Sequence, residues 1–167
     1  LERKQQHKTE VQMRRALLMT IAALVVSGAG ALSQEAYAPL STEAAQRRLE
    51  AYVETWSANR EINASNVGHY YADRVIYYGK PMSRQQVLRD KLNYIATWPE
   101  RRYRIVPGTV SAACDREHMM CRVSGIMAWD RRSRTGRASI GSARLTLILS
   151  RESGGRITRE MASLQAR

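Results

Sequence analysis

Apolar and polar positions change their spacing several times along this 167-residue chain, and each change marks an element. An apolar segment over residues 16–26, interrupted only by Thr20, follows Met13-Arg14-Arg15 and leads into Ser27-Gly28-Ala29-Gly30-Ala31. A basic start, an apolar centre and a small-residue exit form the pattern of a secretory signal peptide, and the run is shorter than the roughly 20 residues a spanning helix needs. Further on the spacing turns helical: Leu49, Tyr52, Val53 and Trp56 recur at i, i+3, i+4 and i+7. Ser41 and Thr42 offer N-cap oxygens, and Glu43 sits in the first turn, where the helix dipole favours an acid; about five turns are expected. Residues 63–66 break that helix. A short helix is expected over 67–71, then a β-branched and aromatic strand over 74–78 that ends at Gly79. Ser83 with Gln86 is a capping box, opening a helix through Val87, Leu88, Leu92 and Ile95 that Pro99 stops.

From there the period becomes two. Residues 101–106 and 109–114 read as one long strand interrupted by a bulge at Pro107-Gly108. Cys121, Val123, Gly125, Met127 and Trp129 form one face of the next strand. The basic turn 131–137 leads into 139–151, where Ala143, Leu145, Leu147 and Leu149 share a face. Gly154-Gly155 turns the chain into a last strand, 156–164. Helix, short helix, strand, helix and four consecutive antiparallel strands make an α+β domain in which a curved antiparallel sheet wraps a long N-terminal helix.

That order, with Tyr70-Tyr71-Ala72-Asp73-Arg74-Val75-Ile76-Tyr77-Tyr78-Gly79 between helices, resembles the nuclear transport factor 2-like superfamily, whose members include ketosteroid isomerase, scytalone dehydratase and SnoaL-like proteins. Tyr78-Gly79-Lys80-Pro81, Trp98-Pro99 and Trp129-Asp130 are similar to its secreted bacterial branches. The resemblance spans residues 41–164 and implies a cystatin-like cone open at one end. It also implies that Trp56, Tyr70, Tyr77, Tyr94, Met127 and Trp129 line or approach a pocket for a small apolar ligand, or fill the cone. A homodimer through the convex sheet, as in dimeric relatives, is a further implication. The organisation expected is an over-extended start at 1–12, a signal peptide at 13–31, a linker at 32–40 and the domain at 41–164.

Composition sharpens the location. Lys and Arg number 27 against 15 acids, a net charge of +12. Residues 1–31 carry five of the basic and two of the acidic residues, so cleavage after Ala31 leaves 22 against 13, or +9. Export makes nucleic acid an unexpected partner and turns the Arg131, Arg132, Arg134 and Arg137 cluster into a candidate face for an anionic envelope surface or an acidic protein. Cys114 and Cys121 bracket a polar turn between two strand-like runs; a disulfide suits an oxidising compartment. A metal site from those cysteines and His118 lacks a fourth ligand nearby, so no metal or cofactor is expected. The location read is periplasmic or secreted, with membrane anchoring by an uncleaved signal as the alternative.

Catalytic signals are sparse. An isomerase of this fold needs a carboxylate base and a donor facing a developing oxyanion, and a dehydratase pairs histidine with aromatic donors. Asp130, beside Trp129 and several arginines, Asp73 after the short helix, and His69 next to Tyr70 are the weak candidates. The resulting expectation is an exported, non-catalytic module that binds a small ligand or an envelope partner; the alternative is a small pocket enzyme of the isomerase or dehydratase type. A buried ionisable group within hydrogen-bond reach of a Tyr or Trp in the cone separates the two.

Overall fold

A computed structural model describes residues 40–117 and 119–164. The expected signal segment, the linker before Leu40 and His118 lie outside the described residues. Helix α1 (Thr42–Thr55) starts where the capping pattern predicts, with the Ser41 hydroxyl accepting from the Ala44 N–H at 3.2 Å, but it runs 14 residues, about four turns. A 3-10 turn (Asn59–Glu61) and helix α2 (Ala64–Tyr70) follow, and Asn63, read as a breaker, caps α2 through the Asn66 N–H. Strands β1 (Tyr71–Tyr77) and β2 (Lys80–Ser83) form a hairpin whose two-residue turn, Tyr78-Gly79, has φ of 48° and 83°. Positive φ at both positions is the turn type that matches strand twist. Four residues including a proline carry no period-two signal, so β2 is invisible in the sequence; it lies at the sheet edge, where proline is tolerated.

Helix α3 (Arg84–Thr97) opens on the complete Ser83–Gln86 capping box and stops before Pro99. Strands β3 (Glu100–Ile105), β4 (Ser111–Asp115), β5 (Met120–Arg132), β6 (Ala138–Ser150) and β7 (Arg156–Leu164) complete a curved sheet of order β2-β1-β7-β6-β5-β3. Strands β3 and β4 pair with successive halves of the same edge of β5, so the interruption at Pro107-Gly108 is a bulge in one long edge. The Thr109 hydroxyl caps it, accepting from the Ile126 N–H at 3.0 Å. One pairing departs from the antiparallel expectation: β1 runs parallel to β7. The chain crosses from β1 to β7 through all the other strands, a relation no local pattern encodes.

Helix α1 lays Ala45, Leu49, Tyr52 and Val53 onto the concave sheet face, against Val123, Leu145, Leu147 and Leu149. Cys114 and Cys121 are cross-strand partners on β4 and β5, Cα atoms 4.0 Å apart, and form the expected disulfide. No helix among the described residues is long and apolar enough to cross a membrane.

Candidate functional site

Between α1, α3 and the concave face of β3, β5 and β6 lies a cavity of about 340 Å³. Trp56, Tyr77, Tyr94, Met127 and Trp129 line it; Tyr70 does not, being buried beside α1 with its hydroxyl 2.9 Å from that of Thr55. The Trp129 indole lies flat across its cross-strand partner Gly141, where a Cβ would stand 2.5 Å from the ring. Only glycine allows that approach, and the indole thereby becomes a wall of the cavity.

The polar groups of the cavity are ones the sequence did not single out. On α3 the inward stripe is Val87, Lys91, Tyr94 and Trp98; Leu92, expected in the core, is 42% exposed. The Lys91 ammonium sits 4.3 Å over the Trp56 ring and 5.3 Å over Tyr52, with further rings of Tyr71 and Tyr77 within 6 Å, and donates to the Tyr52 hydroxyl at 3.2 Å. Burial lowers its pKa, against the opposing pull of Glu160 and Asp90.

Glu160 on β7 is 1% exposed. Its Oε2 accepts from Tyr52 at 2.7 Å and from Tyr71, and its Oε1 accepts from Tyr78 at 2.7 Å. Tyr78 reaches it because the left-handed hairpin turn swings its side chain over β7, where its N–H also bonds the Glu160 carbonyl at 3.0 Å. Strict alternation from the buried Ile157 would point Glu160 outward. Leu149 pairs with Ile157 and Ile148 with Arg159, so Thr158 is one extra residue, and this bulge turns the carboxylate into the core. Burial and then the Glu160 charge push the pKa of Tyr52 and Tyr71 well above the ordinary phenol value; Tyr78, 47% exposed, is also raised, with its hydroxyl end set against Glu160. Glu160 does not itself line the cavity; Lys91 and Tyr78 stand between them.

A second cluster centres on Arg131. Its guanidinium stacks 4.4 Å from the Trp98 ring and 5.3 Å from Trp129, its Nε donates to Ser139 at 3.2 Å, and its Nη1 donates to the Tyr94 hydroxyl. Tyr103 also donates to Tyr94, at 2.9 Å. Arg101, 8% exposed, ties the Trp56 carbonyl at the end of α1 to the Trp98 carbonyl and Asn59. Of the basic cluster read as one face, Arg131 therefore points into the cavity. Arg132, Arg134 and Arg137 are exposed, with Arg132 4.0 Å from Glu100 and Arg137 over the Trp98 ring.

The three catalytic candidates lie elsewhere. Asp73 is exposed and ion-paired with Arg84; Asp130 lies on the face of β5 opposite Trp129; His69 packs edge-on to Tyr70 at 4.9 Å, outside the cavity lining. Among the described residues no group of His, Cys, Asp and Glu could hold a metal ion. The signal that could have found Glu160 was compositional: eight Tyr and no Phe mean that buried hydroxyls need an acceptor.

The sequence matches no protein-family model and no curated protein. Solved structures do resemble it. A nuclear transport factor 2-like superfamily protein from Salmonella enterica serovar Typhimurium aligns with a TM-score of 0.61 at 10% identity, over 75% of this chain and 91% of that one. A SnoaL-like polyketide cyclase from Agrobacterium tumefaciens gives 0.53 at 16%, over 72% and 91%. AusH from Aspergillus nidulans gives 0.53 at 12%, over 76% and 88%. The domain thus has the nuclear transport factor 2-like fold, as the resemblance implied.

Proposed function

We propose that this domain is a binding module for a small, flat, largely apolar ligand held in the cavity between α1, α3 and the sheet. The supporting observation is the cavity itself: indole and phenol rings on several sides, with a few convergent polar groups, the usual make-up of a small-molecule site. Export is part of the reading, supported by the signal-like segment and the Cys114–Cys121 disulfide. On this reading the exposed Arg132, Arg134 and Arg137 meet an anionic envelope surface or an acidic protein. The test is native mass spectrometry of the full chain isolated from an envelope fraction. A co-purifying small molecule that is lost in an Ala143→Leu variant, which narrows the cavity, is expected. An identical spectrum for the two proteins would overturn the reading.

A second reading, a pocket enzyme, is favoured by one observation: the buried Glu160 lies within hydrogen-bond reach of three tyrosines, one of which also takes a bond from Lys91; it ranks second because that carboxylate is outside the cavity lining. A polyketide cyclase shares the fold, but fold alone transfers no activity. In this reading Lys91 is the group that meets the substrate, and Glu160 positions it through Tyr52. Turnover of a co-purifying ligand that is abolished by Lys91→Met, with binding kept, would replace the binding reading with this one.

A further inference from the structure

The donors around the cavity outnumber the acceptors, and their arrangement selects a ligand class. Lys91, Arg101 and Arg131 line one cavity, and among the described residues none has a carboxylate within ion-pair distance. The only lining acid is Asp90, and Glu160 stands behind the tyrosines. Cations set in apolar walls are ordinarily matched by an anion.

The hydrogen atoms can be followed one at a time. Arg131 uses Nε on Ser139 and one Nη1 hydrogen on Tyr94, so both Nη2 hydrogens have no partner among the described residues. The Tyr94 hydroxyl accepts twice, from Tyr103 and from Arg131, so its own proton remains to be given. The geometry of the pair has Tyr103 as donor to Tyr94, which sets the direction of this run of hydrogen bonds. Arg131 and Tyr94 are bonded to each other and both line the cavity beside Trp129, so Nη2 and the Tyr94 O–H are two neighbouring donors at its wall.

We infer that the cavity takes a flat organic anion, a carboxylate on an aromatic or polycyclic body, with Arg131 Nη2 and the Tyr94 hydroxyl on its oxygens. This rests on the ligand-pocket reading above and replaces its apolar ligand with an amphiphilic one. Arg101 and Lys91 add positive potential without touching the head group, and the indoles of Trp56 and Trp129 take the body.

Calorimetric titration of the full chain with 2-naphthoate and with 2-naphthamide tests it, since the two probes share a shape and differ in charge. The acid is expected to bind about tenfold tighter or more, the difference between charge-assisted and neutral hydrogen bonds. Tyr94→Phe and Arg131→Gln should each bring the acid towards the amide, while Arg134→Gln, exposed in the β5–β6 turn, should change nothing. The wild-type comparison needs no variant to fold. Equal binding of acid and amide would overturn the anion assignment and leave the pocket standing. Acid preference that survives both Tyr94→Phe and Arg131→Gln would overturn the assignment of the two donors. Binding of neither probe would overturn the anion assignment and the pocket reading together.

Discussion

Replacing Glu160 by Gln changes one atom and removes the charge on which the centre of the core is organised. Three phenol hydroxyls donate to this carboxylate, two to Oε2 and one to Oε1. A Gln oxygen can still accept from Tyr52 and Tyr71, but each bond drops from the range of about 1.5–3 kcal/mol for a charged acceptor to about 1 kcal/mol. The Gln nitrogen then faces Tyr78, whose hydroxyl must accept instead of donate, with a loss of about 1 kcal/mol. Lys91 also loses the nearest balancing charge to its buried ammonium. Relief of the carboxylate's own desolvation works the other way. The net expectation is a loss of roughly 2–3 kcal/mol, a large part of the ~5–15 kcal/mol that holds a domain folded. Urea denaturation at pH 7 measures it, with an unchanged m-value as the check that only stability moved. Tyr78→Phe supplies the cycle: it should cost about 1.5–3 kcal/mol in the wild type, where the bond is to a charge, and about 1 kcal/mol less in the Glu160→Gln background, where it is neutral. A loss below about 0.5 kcal/mol for Glu160→Gln, or equal costs of Tyr78→Phe in both backgrounds, would refute the reasoning.

Other consequences are equally direct. Reducing Cys114–Cys121, or replacing both by Ser, opens a loop of about eight residues and should lower stability by about 2.5 kcal/mol on the chain-entropy account, read as a lower urea midpoint with the fold retained by circular dichroism. Gly141→Ala should push the Trp129 indole off β6, shifting its fluorescence and weakening naphthoate binding; an unchanged emission spectrum would contradict the close approach. In alkali, Tyr52, Tyr71, Tyr77, Tyr78 and Tyr103 keep their protons in the folded state beyond the unfolded value of 10.0, so the unfolded chain binds fewer protons there and stability falls as pH rises above about 10. Tyrosinate absorbance from Tyr52, Tyr71 and Tyr77 should therefore rise in one cooperative step with unfolding; a gradual rise of these three in the folded protein would count against their burial. Lys91 has the opposite sign: its lowered pKa means that the unfolded chain holds more protons just below the unfolded value, so stability rises with pH in that narrower window. Lys91→Met should flatten this rise.

Local periodicity determined much of the architecture. Ser41, and Ser83 with Gln86, placed the starts of the two long helices and Pro99 the end of the second, because capping and proline act within one turn; the end of the first at Thr55, ahead of Asn63, was not legible. Alternation placed β5 and β6, and the run 101–114 was legible as one edge with a bulge. Of the six residues that the resemblance implied for a pocket or for core filling, Trp56, Tyr77, Tyr94, Met127 and Trp129 stand along the cavity and Tyr70 does not. Strand β2 and the parallel β1–β7 pair were not legible, because one lacks a period and the other joins segments far apart in sequence.

The chemistry of the site was decided later. On α3 the hydrophobic pattern puts Val87, Leu88, Leu92 and Ile95 inward, and Val87 is indeed fully buried. Packing keeps Leu88 and Ile95 against the core, turns Leu92 out, and adds Lys91, Tyr94 and Trp98 to the inward side, because aromatic rings from α1 and β1 surround the Lys91 ammonium and Arg131 stacks on Trp98. One extra residue at Thr158 turned Glu160 inward, and a left-handed Tyr78 brought it a third hydroxyl. Sequence by itself determined most of the helices and strands, β2 excepted, and that tyrosines would fill the core, because those choices are settled by neighbours one turn or two residues away. Which charges face inward, and which hydrogen of which hydroxyl is left for a ligand, only the tertiary structure decided. A buried charge is tolerable only where distant parts of the chain supply its partners.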